Sequence, residues 1–334
     1  MGFRATAVMR QALKLRPAAE LARRSSCLQL VLARWGLETA ALMGLRGDQT
    51  ANDEERKARA VDAITSALYE SGLDGHASAS ERAMLEKPYG AWEYDDYVYG
   101  DHWEAMGVLQ WLLARQHAIP PYYSSFDRAQ LFQNTGIMPA DPSTIETFVD
   151  SFAPARVQPH IGTQQLRTAV GAAEAWLWRA RAQVILDLPS DIGGVDAQPS
   201  PGDKEAPVEA VLRARRIPHS LRKMAADLPR TIPLAAKRAH ELGAVDKVEG
   251  DDFGIAVEVT GGASEGPPAG PARPTTVPYR GLDAGHLDAL RKIAESRFLA
   301  FAWALGKIDD WDPDRTGDLV SINPINAIWT PDGE

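Results

Sequence analysis

The sequence predicts a mainly α protein: an irregular helical bundle with a small β-hairpin element and two mobile Gly/Pro-rich loops. Apolar residues recur at helical spacing through most of the chain. Capping signals open these runs, and glycine or proline closes them. Two stretches, 187–207 and 260–278, are rich in Gly, Pro and Ser and hold too few large apolar side chains to offset the entropy of ordering. With 45% hydrophobic and 24% charged residues over 334 positions, there is apolar material for a sizeable core.

The chain starts with a basic leader or helix, residues 1–19. Together with Arg23 and Arg24, its Arg4, Arg10, Lys14 and Arg16 face one acid, Glu20. Such an Arg-rich, acid-poor start resembles a mitochondrial transit peptide; the simpler expectation is a first helix whose basic face meets water. A single helical domain is expected over 20–320, followed by a tail, 321–334.

Within the domain, Asn52 and Glu55 stand at capping-box spacing ahead of Ala60, Ile64, Ala67 and Leu68 on one face, and the run ends before Gly72. Ser78 and Glu81 repeat the signal, with Pro88 as the stop. The segment from Asp101 to Pro120 is apolar nearly all round, as a core helix is. Pro142 and the Ser143–Glu146 spacing open a short helix over 142–152. The next helix carries the stripe Leu166, Val170, Ala173, Leu177, Ala180 and Val184. One or two helices lie in 208–243, and a strand over 252–259 pairs with 277–281. The last helix has Asp283 as its cap, the stripe Leu287, Leu290, Ala294, Phe298, Phe301 and Leu305, and Gly306 as its stop.

A net charge of −9 argues against a nucleic-acid binder, which needs a basic face. The one cysteine, Cys27, excludes an intramolecular disulfide and any zinc site built on several thiolates. Beside Arg23 and Arg24 its thiol could be acidified; the plainer expectation is a small core residue in a reducing, cytoplasmic setting. No apolar run reaches the roughly 20 residues of a membrane span.

"GKIDDWDPDRTGD" (306–318) gathers acids around Trp311. Read as a calcium loop from Asp310, it supplies Asp312 and Asp314 at the third and fifth positions. Arg315 then stands where the sharp-turn glycine belongs, and Ser321 where the bidentate Glu belongs. A polar exit from the last helix fits better, with Trp311 tucked onto the core. "YGAWEYDDYVYGDHWE" (89–104) mixes acids with Trp92 and Tyr97, either as a pocket for a cation or sugar or as an irregular connection pinned by its rings. Trp178 lies opposite the stripe holding Leu177, as an exposed partner-binding anchor would. No phosphate-binding P-loop, zinc-protease or dinucleotide-binding signature is present, and no cofactor is expected.

"EAMGVLQWLL" (104–113), with Glu104 and Trp111, resembles the E-A-L-x-V-L-x-W-A-L signature of a bacterial family of mainly helical domains of unknown function. "SRFLAFAWALG" keeps Arg297, Ala300, Trp303 and Gly306 in register with that family's E-R-x-x-A-L-N-W-L-x-x-G helix, and Trp311 and Asp312 match its following W-D. "GDDFGI" and "VPYRGLD" resemble its G-D-F segment and its lead into the last helix. Ser296 and Ala302 depart from its Glu and Asn. The resemblance implies that Trp311 and Asp312 lock the chain end to the bundle, and it brings no activity with it.

The expected function is a non-enzymatic adaptor, accessory or immunity-type subunit of a bacterial assembly, bound to a protein partner. The alternative is a metal-assisted hydrolase or small-ligand sensor using 89–104 and 309–318.

Overall fold

A computed structural model describes residues 14–42, 51–153, 161–187, 219–258 and 274–311. The described residues are mainly helical with one small antiparallel sheet, as the sequence predicts. They gather into two compact units, where the sequence suggests one domain over 20–320. The larger holds 14–173 and 288–311; the smaller holds 174–287, less the stretches outside the description. Among the described residues no helix is long and apolar enough to cross a membrane.

In the larger unit, α1 (Ala18–Leu42) is the axis, in contact with helices on several sides. From Leu21 to Leu32 nearly every side chain is buried. Such a helix has no polar face for water, so its Arg24, Gln29, Arg34 and Glu38 must find partners inside. Arg16 already belongs to the fold, its backbone N–H donating to Ala304 O at 2.8 Å.

Helix α2 (Ala51–Glu70) buries Val61, Ile64, Ala67 and Leu68. It stops at Gly72, whose φ of +64° suits a residue without Cβ. The Ser78–Glu81 capping box opens α3 (Ala79–Leu85), with both reciprocal hydrogen bonds made. A 3-10 segment, Tyr94–His102, leads into α4 (Trp103–Leu112), all buried after its first residue. The helix expected to reach Pro120 ends eight residues earlier, at Leu112, where left-handed Ala114 turns the chain and the Arg115 N–H donates back to Gln110 O at 2.8 Å.

Helix α5 (Arg128–Thr135) is capped by Asp127 and closed by Gly136. Helix α6 (Pro142–Asp150) takes Asp141 as its cap, one residue before the expected signals. Helix α7 (Thr163–Leu186) follows, and its expected stripe is buried except for exposed Val184. Residues 208–218 lie outside the description, and α8 spans His219–Glu241.

The sheet runs β1 (Val248–Glu249), β2 (Asp252–Glu258) and β3 (Pro274–Pro278) in order. The β1–β2 turn uses Gly250 and Asp251, both at positive φ, as a tight hairpin turn requires. Ile255 pairs with Val277 and Glu258 with Pro274. This corrects part of the expected 260–278 loop. Thr275, Thr276 and Val277 are β-branched, and the two prolines stand at the strand's ends, where a missing N–H matters least. The rest of that loop, and 188–207, lie outside the described residues, as does the 321–334 tail. The last helix, α9 (Ala284–Ala304), closes at Gly306.

Candidate functional site

Among the described residues, four arginines lie fully or almost fully buried, each against a carboxylate. Glu104 on α4 accepts Arg297 Nε at 2.8 Å through one oxygen and the Phe126 backbone N–H at 3.1 Å through the other. Arg297 spends its remaining N–H groups on Pro120 O (2.6 Å) and Ser124 O (2.7 Å). Its guanidinium lies 4.6 Å from the Tyr122 ring centroid. Next to it, Ser296 accepts the Ala105 N–H at 3.1 Å. So Glu104 and Arg297, marked by two separate motifs, meet in one buried pair.

Arg24 forms a two-pronged pair with Glu81, donates to His76 O at 2.9 Å and stacks 4.2 Å from the Trp311 ring. Burial opposes the charged form of Glu81, but Arg24 outweighs it and holds the carboxyl below its ordinary range. Burial pushes His102 down to about 4, so at neutral pH it is an uncharged ring against Trp311. Cys27 is pushed up to about 12 by burial, with Arg24 opposing. The acidified thiol is thereby corrected, and the core reading holds.

In the smaller unit, Arg179 donates to both oxygens of Asp252 at 2.7 Å. Asp252 also accepts the N–H groups of Phe253 and Arg280. Trp178 stands beside this pair on α7 at 0% exposure, which corrects its reading as a surface anchor. With Arg179 neutralised inside, residues 175–180 are all buried and this stretch has no wet face.

The expected structural tryptophans are core residues. Trp111 meets Phe301 edge-on at 6.1 Å, and Trp303 meets Trp311 at 5.7 Å. Asp310 is exposed; Asp312 and Asp314, its partners in the calcium reading, lie outside the described residues. Neighbouring Asp309 has Arg16 at 3.7 Å as its counter-charge. Among the described residues no three His, Cys, Asp or Glu side chains come together to hold a metal.

The segment 89–104 is pinned by its rings. Arg34 donates to Glu38 (2.6 Å) and Pro88 O (3.0 Å), and Glu38 accepts the Gly90 N–H. Trp92 donates to Met84 O and meets Tyr97 edge-on at 5.3 Å. Trp35 donates to Tyr97 O, and Gly100 leaves room for the Trp35 ring. Asp96 accepts both Lys87 Nζ (2.6 Å) and the Glu93 N–H (2.7 Å). Trp92 is therefore buried and Tyr97 half-buried, so neither is the open contact the sequence suggests. Among the described side chains of this segment the open ring is Tyr94, 88% exposed between exposed Glu93 and Asp95. Tyr94 belongs to the aromatic and acidic stretch that the sequence singles out, but no local pattern separates it from Trp92 and Tyr97.

One serine pattern, Gly262-Ala263-Ser264-Glu265-Gly266, lies outside the described residues. It has the spacing of a hydrolase nucleophile turn, but Pro267 and Pro268 follow directly, where such a turn needs a helix.

No family model matches the chain, and no curated protein or solved structure does.

Proposed function

We propose that the protein is a non-enzymatic interaction subunit, an adaptor or immunity-type component of a bacterial assembly, and that the 93–95 turn is its contact surface. The observation that carries this reading is Tyr94. Its ring is 88% exposed, yet the turn beneath it is fastened on both sides by Asp96, Trp92 and Trp35. A large side chain on a rigid mount loses little further entropy when a partner covers it, which is what an interface anchor needs. The buried ionisable pairs described above are engaged with each other and with backbone groups, which favours structural roles for them over turnover.

Kinship with the helical family of unknown function is proposed on similar grounds. Two of its signatures supply the two halves of one buried pair, Glu104 and Arg297.

The test uses the whole tagged chain, wild type and Tyr94→Ala, purified from the native host with metal analysis of the same samples. The expected result is a stoichiometric partner that Tyr94→Ala binds at least about 30-fold more weakly, the loss of an anchor worth about 2 kcal/mol. The unfolding temperature should not change. A partner-free protein carrying a divalent ion would overturn the reading.

A further inference from the structure

We propose that Arg16 is a latch on the C-terminal end of α9, and that releasing it opens residues 305–311 while the helices of the larger unit stay folded. The last carbonyls of any α-helix lack intrahelical donors and carry the negative end of the helix dipole. Here they are met by a residue from the other end of the chain. The Arg16 backbone N–H donates to Ala304 O at 2.8 Å, and its Nε donates to Trp303 O at 2.8 Å. One terminal nitrogen donates to Ile308 O at 3.1 Å, the other to Glu20 at 2.7 Å, and the guanidinium stacks 4.7 Å from the Trp303 ring.

Beyond the helix the described segment is held by its own turn and by two buried side chains. The Gly306 and Lys307 amides close the helix end on Trp303 O and Ala302 O. Ile308 and Trp311 are buried while Asp309 and Asp310 are exposed. Trp311 rests edge-on against Trp303 and over Arg24. Arg16 touches the helix end, the Trp303 ring and Ile308 together, so its loss loosens all three.

The latch lies in the two residues before α1 begins, and its side chain retains 20% exposure, so it can open without disturbing a helix. Loop segments with partly wet hydrogen bonds open locally well below the global unfolding free energy. Opening uncovers the Trp303 and Trp311 rings. Anything that draws residues 14–16 away from α9 is therefore read out as exposed indole at the opposite end of the chain.

Native-state hydrogen exchange of the full chain tests this, with trypsin cleavage after Lys307 as a second readout, in wild type, Arg16→Ala and Arg16→Lys. In wild type the amides of Leu305, Gly306 and Lys307 should exchange faster than those of α4. Arg16→Ala should speed their exchange and the cleavage about tenfold or more, with α4 unchanged. Arg16→Lys should fall between, keeping the charge but losing the fork that reaches two carbonyls and a ring. Equal exchange of 305–307 and α4 in wild type would overturn the latch even if Arg16→Ala failed to fold. So would an Arg16→Ala protein whose 305–307 amides exchange as in wild type.

Discussion

A guanidinium carried into a helix bundle keeps its charge, so its desolvation is offset only where a carboxylate and backbone carbonyls meet it together. Arg24, Arg34 and Arg297 meet that condition, Arg179 takes the Gln183 side-chain oxygen beside Asp252 instead, and each of the four also lies over an aromatic ring. The imidazole of His102 solves the same problem by staying neutral. Its value falls from the ordinary 6.5 to about 4 through burial, with Glu81 opposing and Arg24 assisting. The folded-state value thus lies below the unfolded one. Between those two pH values the unfolded chain binds the extra proton, so stability falls as pH falls through that window. The gap corresponds to about 3 kcal/mol. Chemical denaturation from pH 7 to pH 4 should show this loss, and His102→Phe should flatten that part of the profile.

Helix ends follow local chemistry, and interiors follow what faces them. Gly107 in α4 faces the Phe126 ring, and a Cβ there would collide with it. Helix propensity alone predicts that Gly107→Ala stabilises the protein by about 1 kcal/mol. The contact reverses the sign, and a loss of about 1–3 kcal/mol is expected in urea denaturation. Sequence legibility divides along the same line. The Ser78–Glu81 box, Gly72, Asp283 and Gly306 are short-range signals, and the structure uses each of them. The end of α4 was not legible, because the left-handed residue that closes it is Ala114, not the glycine or asparagine that marks such a stop in a sequence. Nor was the burial of Trp178. A local pattern shows Arg179 beside it as a polar face, whereas Asp252, 73 residues on, removes that charge from view. The candidate site divides likewise. The 89–104 segment stands out by composition, but which ring faces water depends on contacts with Trp35, Arg34 and Met84.

Across the larger unit, residues distant in the chain are joined through charge as well as through apolar packing. Arg297 and Glu104 are 193 positions apart, and their pair holds α9, α4 and the 120–126 loop in one knot. If these buried ionisable groups are fastenings and not reaction machinery, breaking one should lower stability in a coupled way. The most direct test is a double-mutant cycle by urea denaturation with Glu104→Gln, Arg297→Met and the double variant. Each single change is expected to cost about 3–5 kcal/mol, since it strands a buried polar partner, and the double variant to cost well under the sum. Single losses that add to within about 0.5 kcal/mol would contradict the account and return Glu104 and Arg297 to the pool of candidate functional residues.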